Sequence, residues 1–334
     1  MDGIGMTPAL YKRNELVQKA VGMLRKFCPR FTYSLIFGKQ NSKELVSAMG
    51  NRGKWLDACY NVLSKEFESF VKGYQFVPPE ETNCKKVWVC WLQGEENMPE
   101  VVRICIDSIK QNVPKDYSVE FVDNTNLREW VDIPQRIYDL LHAGKLRPAY
   151  FSDIVRMRLL SQYGGIWIDS TVFVSAPIPD DFFEKRLYSI QAKDEEHRSE
   201  DLYYGALTSF LIGGSNQCPL FDFLYNFFIT YSNKHWILID GHLINIAFRI
   251  AYENNIGGIR EDINNIGVNN ANRNLLFLEI NKPFNEEQWV ELTNHQIFHK
   301  MNWRTKYLDD CTNQKTFYYH LKEDSRFWLR NEVD

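Results

Sequence analysis

Three features are scarce in this sequence, and each excludes a class of protein: paired cysteines, long apolar runs and an excess of basic charge. The 334 residues include seven cysteines, an odd number, and no two of them have Cys-x-x-Cys spacing. A zinc module and a secreted disulfide framework are therefore excluded, and a reducing cytoplasm is the expected compartment. The net charge of -4 gives no reason to expect a nucleic-acid partner.

Apolar runs are also short. None reaches the ~18 residues needed to span a membrane, and the first residues lack the layout of a signal peptide. We therefore expect a protein that is soluble or peripheral to a membrane. Hydrophobic residues make up 44% of the chain and charged residues 25%, which is typical of a globular protein with a full-sized core.

Residues 1–82 are expected to form a helical region. Apolar residues recur there at helical spacing, first at Leu16, Ala20, Met23, Leu24 and Phe27. Lys and Arg outnumber Asp and Glu in this region, whereas the rest of the chain is acidic. The region is therefore a candidate for contact with a membrane surface or with an acceptor.

Residues 83–305 alternate short apolar runs with helical periodicity, which predicts an α/β domain, and residues 306–334 are expected to pack on it as a tail. A buried strand at 86–92, a helix at 99–111 and a strand at 119–123 form a βαβ unit with parallel strands. The same patterns predict helices at 133–143, 148–163, 219–231 and 241–252, strands at 166–168, 171–174 and 209–212, and a loop at 254–274.

The densest group of reactive side chains lies between residues 151 and 171. Asp153 and Arg156 are three residues apart on a predicted helix, so both point to one face. The helix ends at Gly164-Gly165, and a short strand then brings Asp169 to its carboxyl end, where ligands bind in open parallel sheets. Two carboxylates and a guanidinium suit a ribose-diphosphate with Mg²⁺ or Mn²⁺.

The pattern Ser-Asp-x-x-Arg followed by Tyr-Gly-Gly-Ile-Trp-x-Asp resembles that of the capsular polysaccharide synthesis proteins and the related DXD-type sugar-binding glycosyltransferases. Weaker resemblance extends from Lys86 to Trp303. The resemblance implies a GT-A fold, which is a Rossmann-like nucleotide-sugar domain with a mixed, mostly parallel central sheet. It also implies a nucleotide-diphosphate sugar and usually a divalent metal.

The resemblance assigns roles to individual residues. Trp91 matches the aromatic residue that packs against the nucleobase, and Asp153 and Arg156 match the pair that reaches the donor sugar and the diphosphate. Asp169 matches the first Asp of the DXD motif. The donor-binding residues implied in this way are Trp91, Gln93, Asp153, Arg156, Gly164, Gly165, Asp169, Ser170, Gly213, Gly214 and Lys300.

The implied metal ligands are Asp169 and Thr171, with Thr171 in place of the second Asp of the motif. A hydroxyl is a poorer ligand than a carboxylate. Three alternatives follow: an ion that binds weakly, an ion held by Asp169 and the donor phosphates, or an ion that is dispensable. Dependence on Mn²⁺ or Mg²⁺ is thus left open.

The implied catalytic residues are Asp153, Arg156 and Asp240. Arg156 and Lys300 are expected to meet the charge that develops on the leaving phosphate. The related enzymes favour retention of the anomeric configuration, whereas an inverting route would need Asp240 or Asp153 as a base. Asp240 is either that base or a helix N-cap.

The expected function is transfer of a hexosyl group from a nucleotide-diphosphate sugar, with a UDP-sugar favoured, to an oligosaccharide or lipid-linked glycan in capsular or other surface polysaccharide synthesis. The expected place is the cytoplasm or the inner face of the membrane. The alternative is a non-catalytic nucleotide-sugar or glycan-binding assembly protein on the same fold. A Rossmann oxidoreductase is excluded, because no Gly-x-Gly-x-x-Gly follows the first strand.

Overall fold

The computed structural model describes residues 8–82, 84–191, 206–294, 296–324 and 327. Its first part is helical, as the apolar spacing predicts. Gly38 has a positive φ of 83° and bends the second helix, and Asn51 caps the third by accepting a hydrogen bond from the backbone N–H of Lys54. These helices are α1 (Pro8–Phe27), α2 (Pro29–Ala48), α3 (Arg52–Glu66) and α4 (Glu68–Gly73).

The α/β part follows, and most of its elements lie where the sequence patterns place them. In chain order they are β1 (Lys86–Cys90), α5 (Glu100–Asn112), β2 (Ser118–Val122), α6 (Leu127–Trp130), α7 (Gln135–His142), α8 (Pro148–Tyr163), β3 (Gly165–Ile168), β4 (Val172–Val174), β5 (Leu187–Ser189), β6 (Leu211–Gly214), α9 (Pro219–Lys234), α10 (Leu243–Glu253), α11 (Ile259–Asn264), α12 (Leu275–Glu279), α13 (Glu286–Thr293), β7 (Phe298–Lys300), β8 (Asp310–Cys311), β9 (Gln314–Lys315) and α14 (Phe317–Glu323).

The central sheet has the strand order β2-β1-β3-β6-β5. Strand β1 runs parallel to both β2 and β3, β6 runs antiparallel to β3, and β5 runs antiparallel to β6. All of these strands except β6 therefore point in one direction. The predicted α/β class, with a mixed, mostly parallel sheet and N-terminal helices, is confirmed.

Side chains of the central strands alternate between two hydrophobic layers. Trp88 and Trp167 belong to the layer that contains α1–α4 and α7–α10, whereas Val87 and Ile166 belong to the layer that contains α5 and α12–α14. Because both faces of the sheet are covered, these strands read as continuous apolar runs in the sequence.

The N-terminal helices share one of these layers with the α/β part. Tyr33, Leu45 and Leu63 are buried in the same cluster as Phe227 and Phe248 of α9 and α10. The boundaries 1–82, 83–305 and 306–334 stay a prediction, and their extreme ends lie outside the described residues. None of the helices that the structure describes has both the length and the apolar character needed to cross a bilayer.

The short elements α6, β5, α11–α14 and β7–β9 were not predicted. A separate small sheet pairs β4 with β7 in antiparallel register, with Val172 opposite Lys300. The segment 254–274, predicted as a loop, contains the short helix α11, and Ile259 and Ile263 on it are buried. The helix follows a turn with a left-handed Gly258, and the surrounding Asn and Gly residues hide its period.

Candidate functional site

Helix α8 provides the first two groups of the candidate site. It begins with Pro148 in its first turn and ends at Gly164, whose φ of 72° suits glycine. Asp153 and Arg156 lie one turn apart, and Nη1 of Arg156 donates to Oδ1 of Asp153 at 2.8 Å. The predicted pairing across one helix face is thus present.

Strand β3 brings Asp169 to the same place. Oδ1 of Asp169 accepts hydrogen bonds from Nη2 of Arg156 at 3.1 Å and from Nε1 of Trp167 at 2.8 Å. The backbone N–H of Asp169 donates to the carbonyl oxygen of Phe210, which anchors the strand end beside β6. Asp153, Arg156 and Asp169 therefore converge, as the sequence argument requires.

Lys300 completes the group from a distant part of the chain. Its Nζ lies 2.8 Å from Oδ2 of Asp169 and 2.8 Å from Oγ1 of Thr171. The pairing of β4 with β7 fixes this position, since the backbone N–H of Met301 also donates to the carbonyl oxygen of Thr171. We call Asp153, Arg156, Asp169 and Lys300 the charged cluster.

Burial and charge act in opposite directions on the two carboxylates. Burial raises the pKa of Asp153 to about 6, with Asp169 adding to the rise and Arg156 opposing it. Burial alone would also raise the pKa of Asp169, but Lys300 and Arg156 outweigh it and hold that pKa below its usual range. Asp169 is therefore anionic at neutral pH, whereas Asp153 has the pKa closer to neutral pH.

Solvent reaches part of the charged cluster. The side chain of Arg156 is only 5% exposed, whereas those of Asp169 and Lys300 are 27% and 25% exposed. An ammonium has three N–H donors, and Lys300 uses two of them on Asp169 and Thr171. The third can bind an anion that approaches from the solvent side.

The side chains at this point do not fit a divalent cation. Both oxygens of Asp169 already accept hydrogen bonds from cationic or indole N–H groups, and the Thr171 hydroxyl accepts from Lys300. The Lys300 ammonium lies between the two predicted metal ligands. Across the described parts of the chain, no group of three or more His, Cys, Asp or Glu has metal-binding geometry.

The predicted nucleobase residue follows the neighbouring strand. Trp91 comes directly after β1, and its backbone N–H donates to the carbonyl oxygen of Val122 at the end of β2. Its ring packs edge-on against Trp303, with centroids 5.5 Å apart. Its buried Nε1 has no hydrogen-bond partner among the described residues. Gln93 is half-buried in the next turn, where its carbonyl oxygen accepts from Asn97.

The four predicted glycines lie at the opposite end of β3 from Asp169. Gly165 pairs with Gly214, and Gly213 pairs with Ile166. A Cβ on Gly213 would lie 2.3 Å from the carbonyl oxygen of Gly165, and one on Gly164 would lie 2.9 Å from that of Gly214. Close strand packing explains these glycines, and their contact with a donor stays a prediction.

Ser170 and Asp240 are placed differently. Ser170 is buried in the turn between β3 and β4, next to Asp169. Asp240 lies outside the charged cluster, and its oxygens accept hydrogen bonds from Arg52, from the Trp55 indole and from the backbone N–H of His242. Burial opposes ionisation, but Arg52 and these donors hold the pKa of Asp240 below its usual range. A structural carboxylate fits this setting better than a base.

Sequence reasoning assigned no role to two neighbours of the charged cluster, Trp167 and Arg273, whereas Phe210 begins a segment that resembles the family segment beside the donor sugar. Trp167 donates to Asp169, and its ring lies 4.8 Å from the Arg156 guanidinium. Phe210 lies 4.9 Å from the Lys300 ammonium and 5.8 Å from the Arg273 guanidinium. The Trp of Gly-Gly-Ile-Trp-Ile-Asp could have been identified by its two-residue spacing from Asp169. No local signal marks the buried Arg273.

Comparison with known proteins gives a family match over most of the chain. The model of the family described as "Capsular polysaccharide synthesis protein" matches residues 40–321. An O-glycosyltransferase, braB, from Annulohypoxylon truncatum is 32% identical over 107 residues. That alignment covers 30% of this chain and 25% of the fungal protein, so the match spans a quarter of the relative's length.

Two solved structures are similar at low identity. The PaToxG glycosyltransferase aligns with a TM-score of 0.40 and 14% identity, covering 68% of this chain and 83% of that one. The bifunctional glycosyltransferase WbbM aligns with a TM-score of 0.39 and 10% identity, covering 92% and 70% respectively.

Proposed function

The chain belongs to the family of capsular polysaccharide synthesis proteins, and from this premise we propose that it is a glycosyltransferase on a GT-A-type domain. It moves a hexosyl group from a nucleotide-diphosphate sugar to a glycan acceptor. The observation that carries this proposal is the convergence of Asp153, Arg156, Asp169 and Lys300 at the carboxyl end of β3. Ligands bind at this edge in open α/β sheets.

Arg156 and Lys300 are the groups that stabilise the departing nucleoside diphosphate. Breaking the bond to the anomeric carbon leaves negative charge on the phosphate, and fixed cations in a partly buried site lower that barrier. Arg156 is held by both carboxylates, so its orientation is set before the donor binds. Lys300 retains one N–H donor for a phosphate oxygen.

The donor we favour is a UDP-sugar. Trp91, the residue that the resemblance assigns to the nucleobase, is buried at the end of β1, next to the charged cluster's strand, and its indole N–H has no partner among the described residues. Asp153 accepts hydrogen bonds from the sugar hydroxyls, because one of its oxygens is left over from the pair with Arg156.

We favour transfer with retention, because neither candidate base is free: Asp153 is paired with Arg156. Asp240 is bound by Arg52 and other donors, and its low pKa makes it a weak base. In a retaining route the leaving phosphate takes the proton of the acceptor hydroxyl, so no strong protein base is needed.

The acceptor we propose is a growing glycan carried by a lipid, which places the reaction at a membrane surface. The chemistry of the family's polysaccharide product supports a glycan acceptor. A lipid-linked glycan remains at the bilayer while it grows, so an enzyme that extends it gains from contact with the same surface.

The test is release of nucleoside diphosphate from UDP-, GDP- and CDP-sugars, measured with and without a glycan acceptor. We expect slow hydrolysis of one donor, lost in Asp169→Ala, and an increase when the acceptor is added. A thermal shift with one donor but no turnover under any condition would instead support a nucleotide-sugar-binding assembly protein, and would refute the enzyme.

A further inference from the structure

Helix α1 turns its apolar stripe toward solvent. Leu16, Met23, Leu24 and Phe27 have helical spacing, and their exposed fractions run from 55% at Leu24 to 74% at Phe27. Spacing of this kind normally marks the face that packs on the core. Here the face has no covering among the described residues.

The stripe continues into α2. Phe31 and Leu35 are 69% and 68% exposed, and they follow Phe27 at four-residue intervals. The backbone N–H of Cys28 donates to the carbonyl oxygen of Leu24, and that of Thr32 donates to Cys28, so hydrogen bonds link the two helices at Cys28, whose own backbone is non-helical. We call Leu16, Met23, Leu24, Phe27, Phe31 and Leu35 the outer stripe.

Polar contacts attach the other face of α1 to the body of the protein. Asn14, which is buried, donates to the carbonyl oxygens of Leu141 and Leu146, and Gln18 donates to that of Gly144. Arg25 donates to the carbonyl oxygen of Leu238. The helix is therefore oriented with its hydrogen-bonding side inward, and the outer stripe cannot turn inward without breaking these bonds.

Positively charged residues surround the outer stripe. Residues 8–39 contain seven Lys or Arg and one Glu, a net charge of +6, in a chain whose net charge is -4. Lys19, Lys26 and Arg30 are exposed and lie between the apolar positions. Aromatic and aliphatic side chains flanked by cations are the composition of interfacial helices.

We propose that the outer stripe docks on a membrane surface that contains anionic lipid. The apolar side chains enter the boundary between headgroups and acyl chains, and Lys19, Lys26 and Arg30 bind the lipid phosphates. A protein partner would need a matching acidic and apolar surface, whereas an anionic bilayer offers both properties over any area. The charge thus selects the membrane.

Docking also orients the site. Asn14 and Gln18 bind the segment 141–146, which leads directly into α8, the helix that carries Asp153 and Arg156. Helix α1 is therefore bound to the segment that precedes α8, the helix that carries two members of the charged cluster. This inference deepens the proposed function: its purpose rests on a lipid-linked acceptor, whereas the docking itself rests only on α1 and α2.

The experiment is sedimentation of the full chain with vesicles of phosphatidylcholine alone or mixed with phosphatidylglycerol. We expect binding only to the mixed vesicles, weakened by salt. The variant Phe27→Ser/Phe31→Ser should lower partition by roughly tenfold per side chain, from the transfer free energy of an aromatic group. Lys26→Glu/Arg30→Glu should abolish the preference for phosphatidylglycerol.

A matched control is Val77→Ser/Leu278→Ser, which removes two apolar side chains that are also more than half exposed. Because the outer stripe is exposed, its variants should keep the wild-type melting temperature and the hydrolysis of a soluble donor. If the wild-type protein turns over no donor, this result counts against the proposed function but does not contradict the docking proposal.

Three results would overturn the docking proposal. The first is wild-type protein that stays in solution with every vesicle. The second is equal loss of binding in the control variant. The third is a stable dimer that becomes a monomer in Phe27→Ser/Phe31→Ser, with no vesicle binding, since the outer stripe would then join two copies of the chain.

Discussion

The position of Lys300 predicts that donor turnover does not require a divalent cation. Its ammonium lies 2.8 Å from both Asp169 and Thr171, the two positions where a DXD motif would hold the ion. We expect wild-type activity to persist in EDTA and to gain little from added Mn²⁺. Activity here means release of nucleoside diphosphate from the preferred donor.

The perturbation is Lys300→Ala. Removal of one preorganised charge from the leaving phosphate should cost about 100- to 1000-fold in kcat, or about 3–4 kcal/mol of barrier. The loss in folding stability should be smaller, about 1–2 kcal/mol, because both partners are about a quarter exposed and Asp169 keeps Arg156.

A second variant tests whether the lysine and a metal are alternatives. Lys300→Ala/Thr171→Asp removes the ammonium and supplies the second carboxylate, so Mn²⁺ should restore activity in this variant and have little effect on Lys300→Ala alone. Lys306→Ala, an exposed lysine in the same segment, is the control and should behave as wild type. Wild-type activity that vanishes in EDTA and returns with Mn²⁺ would refute the reasoning.

Three further predictions concern other positions. Asp240→Ala should lower the free energy of unfolding by about 2 kcal/mol, because it leaves Arg52 unpaired, and it should change kcat by no more than a few-fold. A large loss of kcat with unchanged stability in urea melts would instead identify Asp240 as a base. Burial raises the pKa of Asp153 to about 6, against 3.8 in the unfolded chain, so its contribution to stability should fall by about 2 kcal/mol as pH rises from 4 to 7. Urea melts should show this slope in the wild type and not in Asp153→Asn, and parallel slopes would contradict it. Gly213→Ala should lower the free energy of unfolding by about 3 kcal/mol or prevent folding, since the new Cβ would collide with the Gly165 carbonyl oxygen. An unchanged melting temperature would contradict this and show that the two strands can move apart there.

The longer helices and strands of the fold could be predicted from local sequence patterns. The continuous apolar run of β1, the two glycines after α8 and the βαβ spacing each depend on a few neighbouring residues, and each is present. Short elements were harder: β5 and β7 have three residues each, too few for a period to be recognised. Helix α11 has six residues and lies among Asn and Gly residues, so its period could not be recognised either.

The candidate site divides in the same way. Asp153 and Arg156 share a helix, and Asp169 follows within 13 residues of Arg156, so their convergence follows from helix periodicity and strand direction. The sequence predicted that a strand ends at Gly213 and Gly214, but it did not reveal the direction of that strand relative to β3. The antiparallel pairing of β6 with β3 decides that.

By itself, the sequence determined the types of the longer elements, the family and the clustering of three of the four charged groups, because these depend on spacing along the chain. Only the tertiary structure placed Lys300 on Asp169, across 131 residues, since that contact depends on the register of β4 with β7. It alone also turned the stripe of α1 outward. The periodicity of a helix defines an apolar face, but the hydrogen bonds of Asn14 and Gln18 decide which face meets the protein.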